Sequence, residues 1–292
     1  MGTIMELQGL TKFYGKQRGI EDVSFKVEEG EIFGFIGPNG AGKSTTIRTL
    51  LALLQPTAGS ATIFGLDCIQ AAAEIARDVG YVPSESAYYD NMKVRALLDY
   101  TGRLYRKDCR PKAEQLCERL ELDPTRKIAD LSFGNKKKVG IVSALLHSPR
   151  LIILDEPTAG LDPLVQRSFF EILREENHNG ATIFFSSHIL SEVQKFCGRV
   201  AILKQGHLES VQTIATLRES GYKRIFVTAK TDIPTGYFHQ GQIVDLQQRG
   251  AEASFMFQGD INALIQQLAS LGINDTFIEE PTLEEIFLHY YE

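Results

Sequence analysis

Apolar and polar positions alternate from Val23 to Glu28, with Val23, Phe25 and Val27 set against Ser24, Lys26 and Glu28. That period of two predicts a strand with one buried face. A turn at Glu29 and Gly30 follows, then an apolar strand over 31–36, a Gly-rich loop and a helical run over 43–54. Residues 59–64 read as a further strand. From about 86 to 148 the period lengthens to that of a helix. Val94, Leu97, Leu98 and Leu104 share one stripe, and Ala113, Leu116, Cys117 and Leu120 form another. Pro111 suits a first helical turn.

Beyond this helical stretch lie three nearly continuous apolar runs, 151–154, 182–185 and 199–203. Runs without alternation predict a parallel sheet covered on both faces. A helix between the first two has Asp162 as its N-cap, Pro163 in its first turn and Gly180 as its stop. After about Gln212 the texture changes to short strands at 224–229, 242–246, 253–257 and 276–278. A helix over 261–271 and a final helix over 283–290, with Ile286, Phe287 and Tyr290 on one side, complete the pattern. The expected fold class is an α/β core, residues 1–211, with an antiparallel β part and a helical subdomain at about 86–148. A small α+β accessory domain, 212–292, follows it.

Composition narrows the function classes. The chain has 292 residues, enough for about two domains of roughly 150 residues. Its 31 Lys and Arg face 37 Asp and Glu, a net charge of −6, so no nucleic-acid partner is expected. Spanning a bilayer takes about 20 apolar residues in a row, and the apolar runs here are far shorter. Four scattered cysteines without C-x-x-C spacing point away from a disulfide framework or a thiolate metal site, and toward a reducing cytosol. The first residues carry neither a secretion signal nor a myristoylation signal.

Candidate chemistry begins in the Gly-rich loop. Gly37, Pro38, Asn39, Gly40, Ala41, Gly42, Lys43, Ser44 and Thr45 fit G-x-x-x-x-G-K-[ST], between a strand and a helix as that motif requires. Gly40 and Gly42 let the backbone wrap phosphates with inward N–H groups, and the positive end of the new helix faces them. Lys43 reaches the β- and γ-phosphates, and the Ser44 hydroxyl ligates Mg²⁺. The expected ligands are a nucleoside triphosphate and Mg²⁺.

The strand over 151–154 ends in Asp155 and Glu156. Two acids at the end of a buried strand are costly unless something pairs with them, and a Mg²⁺-phosphate would. Asp155 is expected to hold the metal shell, and Glu156 to orient or deprotonate the attacking water. His188 follows the next apolar strand, at the sheet edge where ligands sit in open α/β folds.

Together these residues resemble the ATP-binding subunits of ABC transporters, over about residues 4–211. Leu131, Ser132, Phe133, Gly134 and Asn135 look like the family signature L-S-G-G-Q, and residues 159–162 like its D-loop. Ser132 is a plausible N-cap for a helix over 133–146. The resemblance implies a P-loop NTPase core that binds ATP and Mg²⁺ in a head-to-tail dimer. Ser132 and Gly134 would clasp the γ-phosphate held by the other subunit, with Asp162 also acting across that interface. His188 would contact the γ-phosphate in its own subunit, and Tyr14 would stack on adenine, with Phe13 beside it as the competing candidate.

Two features depart from the family. The Gln expected after Gly80, Tyr81, Val82 and Pro83 is replaced by Ser84 and Glu85, and Phe133 and Asn135 stand for Gly and Gln in the signature. Lys136, Lys137 and Lys138 read as a solvated helix face. Tyr88, Tyr89 and Met92 are candidates for contact with a membrane partner. The implied protein is an ATPase on the cytoplasmic face of the membrane. It would pair with a second ATPase subunit, identical or a close paralogue, and drive an integral membrane permease. The accessory domain and the run over 281–288 are similar to the subfamily serving exporters of drugs, antibiotics or peptides. The alternatives are a soluble ABC-type ATPase acting on nucleic acid or ribosomes, and an ATP-binding regulatory or immunity module.

Overall fold

The computed structural model describes residues 2–85, 87–89, 91–218, 222–238 and 243–281. The expected final helix over 283–290 lies outside the described residues. The chain opens with β1 (Thr3–Tyr14) and β2 (Gln17–Glu28), an antiparallel pair turned at Gly15. Then come β3 (Ile32–Ile36), α1 (Lys43–Leu50), β4 (Ala58–Ile63), β5 (Leu66–Asp67), α2 (Ala72–Ile75) and β6 (Val79–Val82). The helical stretch is α3 (Val94–Leu104), α4 (Arg110–Arg119) and α5 (Phe133–Leu145). It is followed by β7 (Leu151–Asp155), α6 (Pro163–His178), β8 (Thr182–Ser187), α7 (Leu190–Phe196), β9 (Arg199–Lys204) and β10 (His207–Thr213).

Two sheets form the larger unit, Met1–Gln212. The first has strand order β2-β1-β4-β5 and is antiparallel; the second has order β10-β9-β3-β8-β7-β6, with β9, β3, β8, β7 and β6 mutually parallel. Every residue of β7 and β8 is buried, as continuous apolar runs require. Adjacent phenylalanines of β8 point to opposite faces. Phe184 stacks with Phe33 and with Phe25 of the antiparallel sheet, at 5.9 and 6.1 Å between ring centroids. Phe185 packs on the other face against Phe170 of α6 and Phe196 of α7.

Local signals place most helix ends. Asp162 caps α6, accepting from the Val165 N–H at 3.0 Å, and Pro163 opens it. Ser132 caps α5, its hydroxyl accepting from the Asn135 N–H at 3.3 Å. Three expectations need correction. α1 stops at Leu50 rather than 54, because Ala52 adopts φ 56° and turns the chain away. Leu104 is 64% exposed; on that turn of α3 the buried residue is Gly102, which faces Cys109. Lys137 and Lys138 are not solvated: both are buried, at 2% and 7% exposure. Among the described residues no helix is long and apolar enough to cross a membrane.

The second compact unit, Thr213–Glu292, contains α8 (Ile214–Arg218), β11 (Tyr222–Ala229), β12 (Ile243–Arg249), β13 (Glu252–Gln258), α9 (Ile261–Ser270) and β14 (Ile273–Glu279). Its sheet has order β12-β13-β11-β14, with all three pairings antiparallel. Ile225, Val227 and Phe255 from the sheet and Leu264 and Leu268 from α9 share its core.

Candidate functional site

Register assembles the site. Ile36 at the end of β3 lies beside Ser187 of β8, and Ser186 lies beside Asp155 of β7. Because these strands are parallel, the loop after β3, the acids ending β7 and the histidine after β8 emerge on one edge, the carboxyl edge where open α/β sheets bind ligands.

The loop between β3 and α1 is shaped by glycine. Gly42 has φ 108°, and a Cβ there would lie 2.6 Å from the Gly19 carbonyl oxygen, so no other residue fits without moving backbone. Gly42 is also the N-cap of α1 and supplies no side chain to its first-turn N–H groups, which remain available for an anion. Lys43 is buried, its ammonium donating to the Gly37 and Pro38 carbonyls at 2.8 and 3.2 Å and pairing with Glu156 at 3.3 Å. The Ala41 carbonyl accepts from the Gly206 N–H and ties the loop to the turn before β10.

A cavity of about 460 Å³ lies over this loop. Asn39, Gly40, Gly42, Lys43, Ser44, Thr45, Tyr14 and Glu156 line it, and so do Ser84 and Glu85. Tyr14 is 45% exposed, with its hydroxyl 3.4 Å from that of Thr45. Gln17, Arg18 and Gly19 complete the lining, which the sequence reading missed. Arg18 carried no motif, and only the return of β2 alongside Tyr14 brings it there.

Glu156 stands at the centre. It adopts φ 48°, a left-handed conformation that costs a non-glycine residue roughly 1–2 kcal/mol and is typical of functional positions. Its N–H donates to the Ser186 carbonyl, and its carboxylate lies 3.3 Å from Lys43 Nζ and 3.2 Å from His188 Nδ1. Asp155 is fully buried. One carboxylate oxygen accepts from Ser186 Oγ at 3.2 Å, and the other has no hydrogen-bond partner among the described residues.

An orphaned buried carboxylate oxygen beside a phosphate-binding loop fits Mg²⁺, which takes one or two protein oxygens and completes its shell with phosphates and water. Among the described residues no three His, Cys, Asp or Glu side chains cluster into a metal site. Of the two residues expected to hold the ion, Ser44 lines the cavity and Asp155 does not.

Two neighbouring networks brace the edge. Glu192 of α7 accepts from both Thr158 Oγ1 and Ser187 Oγ at 3.1 Å, joining the loop after β7 to the end of β8; burial pushes its carboxyl pKa up. Lys137 of α5 donates to the Pro83 and Ser84 carbonyls at 2.8 and 3.1 Å. Burial pushes the Lys137 ammonium down to about 8, opposed by the charges of Asp155 and Glu156.

Ser132, Gly134 and Asp162 do not line the cavity. They belong to a second cluster, where Gly134 approaches Gly160 so closely that a Cβ on it would lie 2.4 Å from the Gly160 oxygen. The Phe133 ring lies against Gly160, where a Cβ would meet it at 2.4 Å. Tyr89 is exposed in the loop between β6 and α3, and Tyr88 and Met92 are half-buried there.

The sequence profile of the ABC transporter family matches residues 20–159. The bacitracin transport ATP-binding protein BcrA of Bacillus licheniformis is 38% identical over 214 residues, covering 71% of this chain and 69% of that protein. The linearmycin resistance ATP-binding protein LnrL of Bacillus subtilis (strain 168) is 28% identical over 305 residues, covering 98% and 97%. Among solved structures, a dimeric ATP-binding cassette in a post-hydrolysis state, bound to ADP and Pi, superposes with a TM-score of 0.67 at 25% identity. It covers 72% of this chain and 98% of its own.

Proposed function

The chain belongs to the ABC transporter family of ATP-binding, ATP-hydrolysing proteins, and from that premise we propose that it powers a separate membrane permease exporting drugs, antibiotics or peptides. The family's cofactors are ATP and Mg²⁺. The observation that carries the mechanism is Glu156, held between Lys43 and His188 on the wall of the cavity over the β3–α1 loop.

In this reading the first turn of α1 and Lys43 take the β- and γ-phosphates, and Tyr14 takes the adenine face. Ser44 and Asp155 would hold Mg²⁺, which would supply neutralisation of charge on the phosphate oxygens. Glu156 accepts a proton from the water that attacks the γ-phosphorus in line. The bond from that phosphorus to the bridging oxygen breaks, leaving ADP and phosphate. His188 orients Glu156 and the γ-phosphate together.

Ser132 and Gly134 lie outside the subunit's own cavity, as they must if they serve the nucleotide of a second copy. The likeness to a dimeric cassette supports that arrangement, with Asp162 acting across the interface. Residues 1–211 form the motor in this reading, and 212–292 an accessory domain. The protein would reach the cytoplasmic face of the membrane through its permease. The relatives favour export, because one is a bacitracin transport protein and the other a linearmycin resistance protein.

Glu156→Gln tests the mechanism. Turnover is expected to fall by a factor of about 10²–10⁴, the usual contribution of a general base. With ATP and Mg²⁺ the variant is expected to accumulate as a dimer in size-exclusion chromatography. Turnover close to that of the unaltered protein would remove Glu156 from the role of base. Co-purification of a permease from solubilised membranes tests the partner.

A further inference from the structure

Lysine side chains are rarely buried, because an ammonium is costly to desolvate unless hydrogen bonds compensate. Lys137 is nevertheless only 2% exposed. Its ammonium donates to the main-chain carbonyls of Pro83 and Ser84, in the segment immediately after β6. Ser84 and Glu85 line the same cavity as the β3–α1 loop. The lysine therefore sits behind one wall of the cavity and grips its backbone.

The other end of this contact is α5. Ser132 caps that helix and Lys137 lies in its second turn, so both belong to one rigid element. α5 is also seated tightly on β6: a Cβ on Gly80 would lie 2.3 Å from the Ala144 carbonyl oxygen. The strand leading into Pro83 and the helix carrying Lys137 thus approach at close range, and the ammonium closes the bracket between them.

We propose that Lys137 is a positioning residue for ATP hydrolysis, its ammonium fixing the Pro83–Ser84 wall of the nucleotide cavity to the helix that begins at Ser132. The role rests on the functional reading above, in which that cavity holds ATP and the start of α5 meets the nucleotide of a second copy. A movement of α5 on dimer closure would then be transmitted to the cavity wall through two hydrogen bonds. Here Ser84, too short to reach across the cavity, is placed through its main chain.

The test uses the full chain and steady-state ATP hydrolysis. Lys137→Met keeps the buried stem and deletes the ammonium. Its kcat is expected to fall about ten- to hundredfold, the consequence of losing charge-assisted hydrogen bonds, with KM for ATP within about threefold of the unaltered protein. Lys137→Arg, which keeps charge and donors, is expected to recover most of the rate. Unchanged kcat in Lys137→Met would overturn the proposal. So would a parallel loss of thermal stability, KM and kcat that Lys137→Arg fails to rescue, because that marks a purely structural lysine. If Lys137→Met does not fold, the same division between kcat and KM is read on Lys137→Gln, where an intact kcat overturns the proposal. Glu156→Gln assayed in parallel separates the two readings: turnover surviving there refutes the assignment of the site itself. Loss there with normal Lys137→Met kinetics refutes only the role of Lys137.

Discussion

Gly134→Ala places one methyl group between the signature segment and the D-loop. Gly134 is the second residue of α5, and alanine is favoured over glycine in a helix by about 1 kcal/mol. If the site were open, the substitution would therefore stabilise the protein. The structure predicts the opposite. The new Cβ would meet the Gly160 carbonyl oxygen at 2.4 Å, an overlap with backbone that no rotamer change relieves. Overpacking costs about 1–3 kcal/mol and can exceed that where the partner is rigid. With a rigid backbone partner the cost lies in the upper part of that range, about 2–3 kcal/mol, and the propensity gain leaves a net loss of about 1–2 kcal/mol. For a unit of this size that lowers the melting temperature by about 2–8 °C. Calorimetry on the full chain should follow the transition that Mg²⁺-ATP shifts upward, since ligand binding identifies the unit carrying the site. Gly198→Ala is the control: nothing lies within 4 Å of its Cβ position and its φ is not positive, so it should be neutral or stabilising by about 0.4–1 kcal/mol. A melting temperature for Gly134→Ala that is unchanged or raised would refute the close approach of these two loops.

Two further outcomes are expected. Tyr14→Ala should raise KM for ATP about five- to hundredfold with kcat nearly unchanged, since base stacking is uniform binding energy, while Tyr14→Phe should stay near normal; a selective loss of kcat would argue against stacking. His147, stacked on Tyr105 at 3.6 Å, has its pKa pushed down from 6.5 to about 4, by burial first and then by Lys107. The unfolded chain therefore binds the extra proton between those values, and stability falls as pH drops through that window, by at most about 3 kcal/mol. Urea midpoints at pH 7 and 4.5 should show the loss, and His147→Phe should flatten it.

The chemistry of the β3–α1 loop was legible because each requirement is local. A turn that must wrap phosphate needs glycine, a parallel strand buried on both faces must be apolar, and an acid ending such a strand needs an ion. Asp162 and Ser132 were readable as caps for the same reason, since an N-cap bonds residues three positions away. The run of lysines at 136–138 misled. Its local pattern is that of an exposed helix face, yet Lys137 and Lys138 turn inward. Nothing in their neighbours along the chain announces Pro83 and Ser84 as acceptors. Arg18 entered the cavity lining unannounced as well, and the place of Phe133 over Gly160 has no local sign.

Backbone sterics and the side-chain period act over a few residues, so the elements, their caps and the inventory of reactive groups were determined by the amino-acid sequence alone. Which groups face one another was decided only by strand order and register. β3, β8 and β7 are neighbours in the sheet but far apart in the chain, and their pairing sets Glu156 between Lys43 and His188. The same tertiary packing turns Lys137 from a surface charge into a buried tie, because hydrogen bonds to two distant carbonyls offset the cost of taking its ammonium out of water.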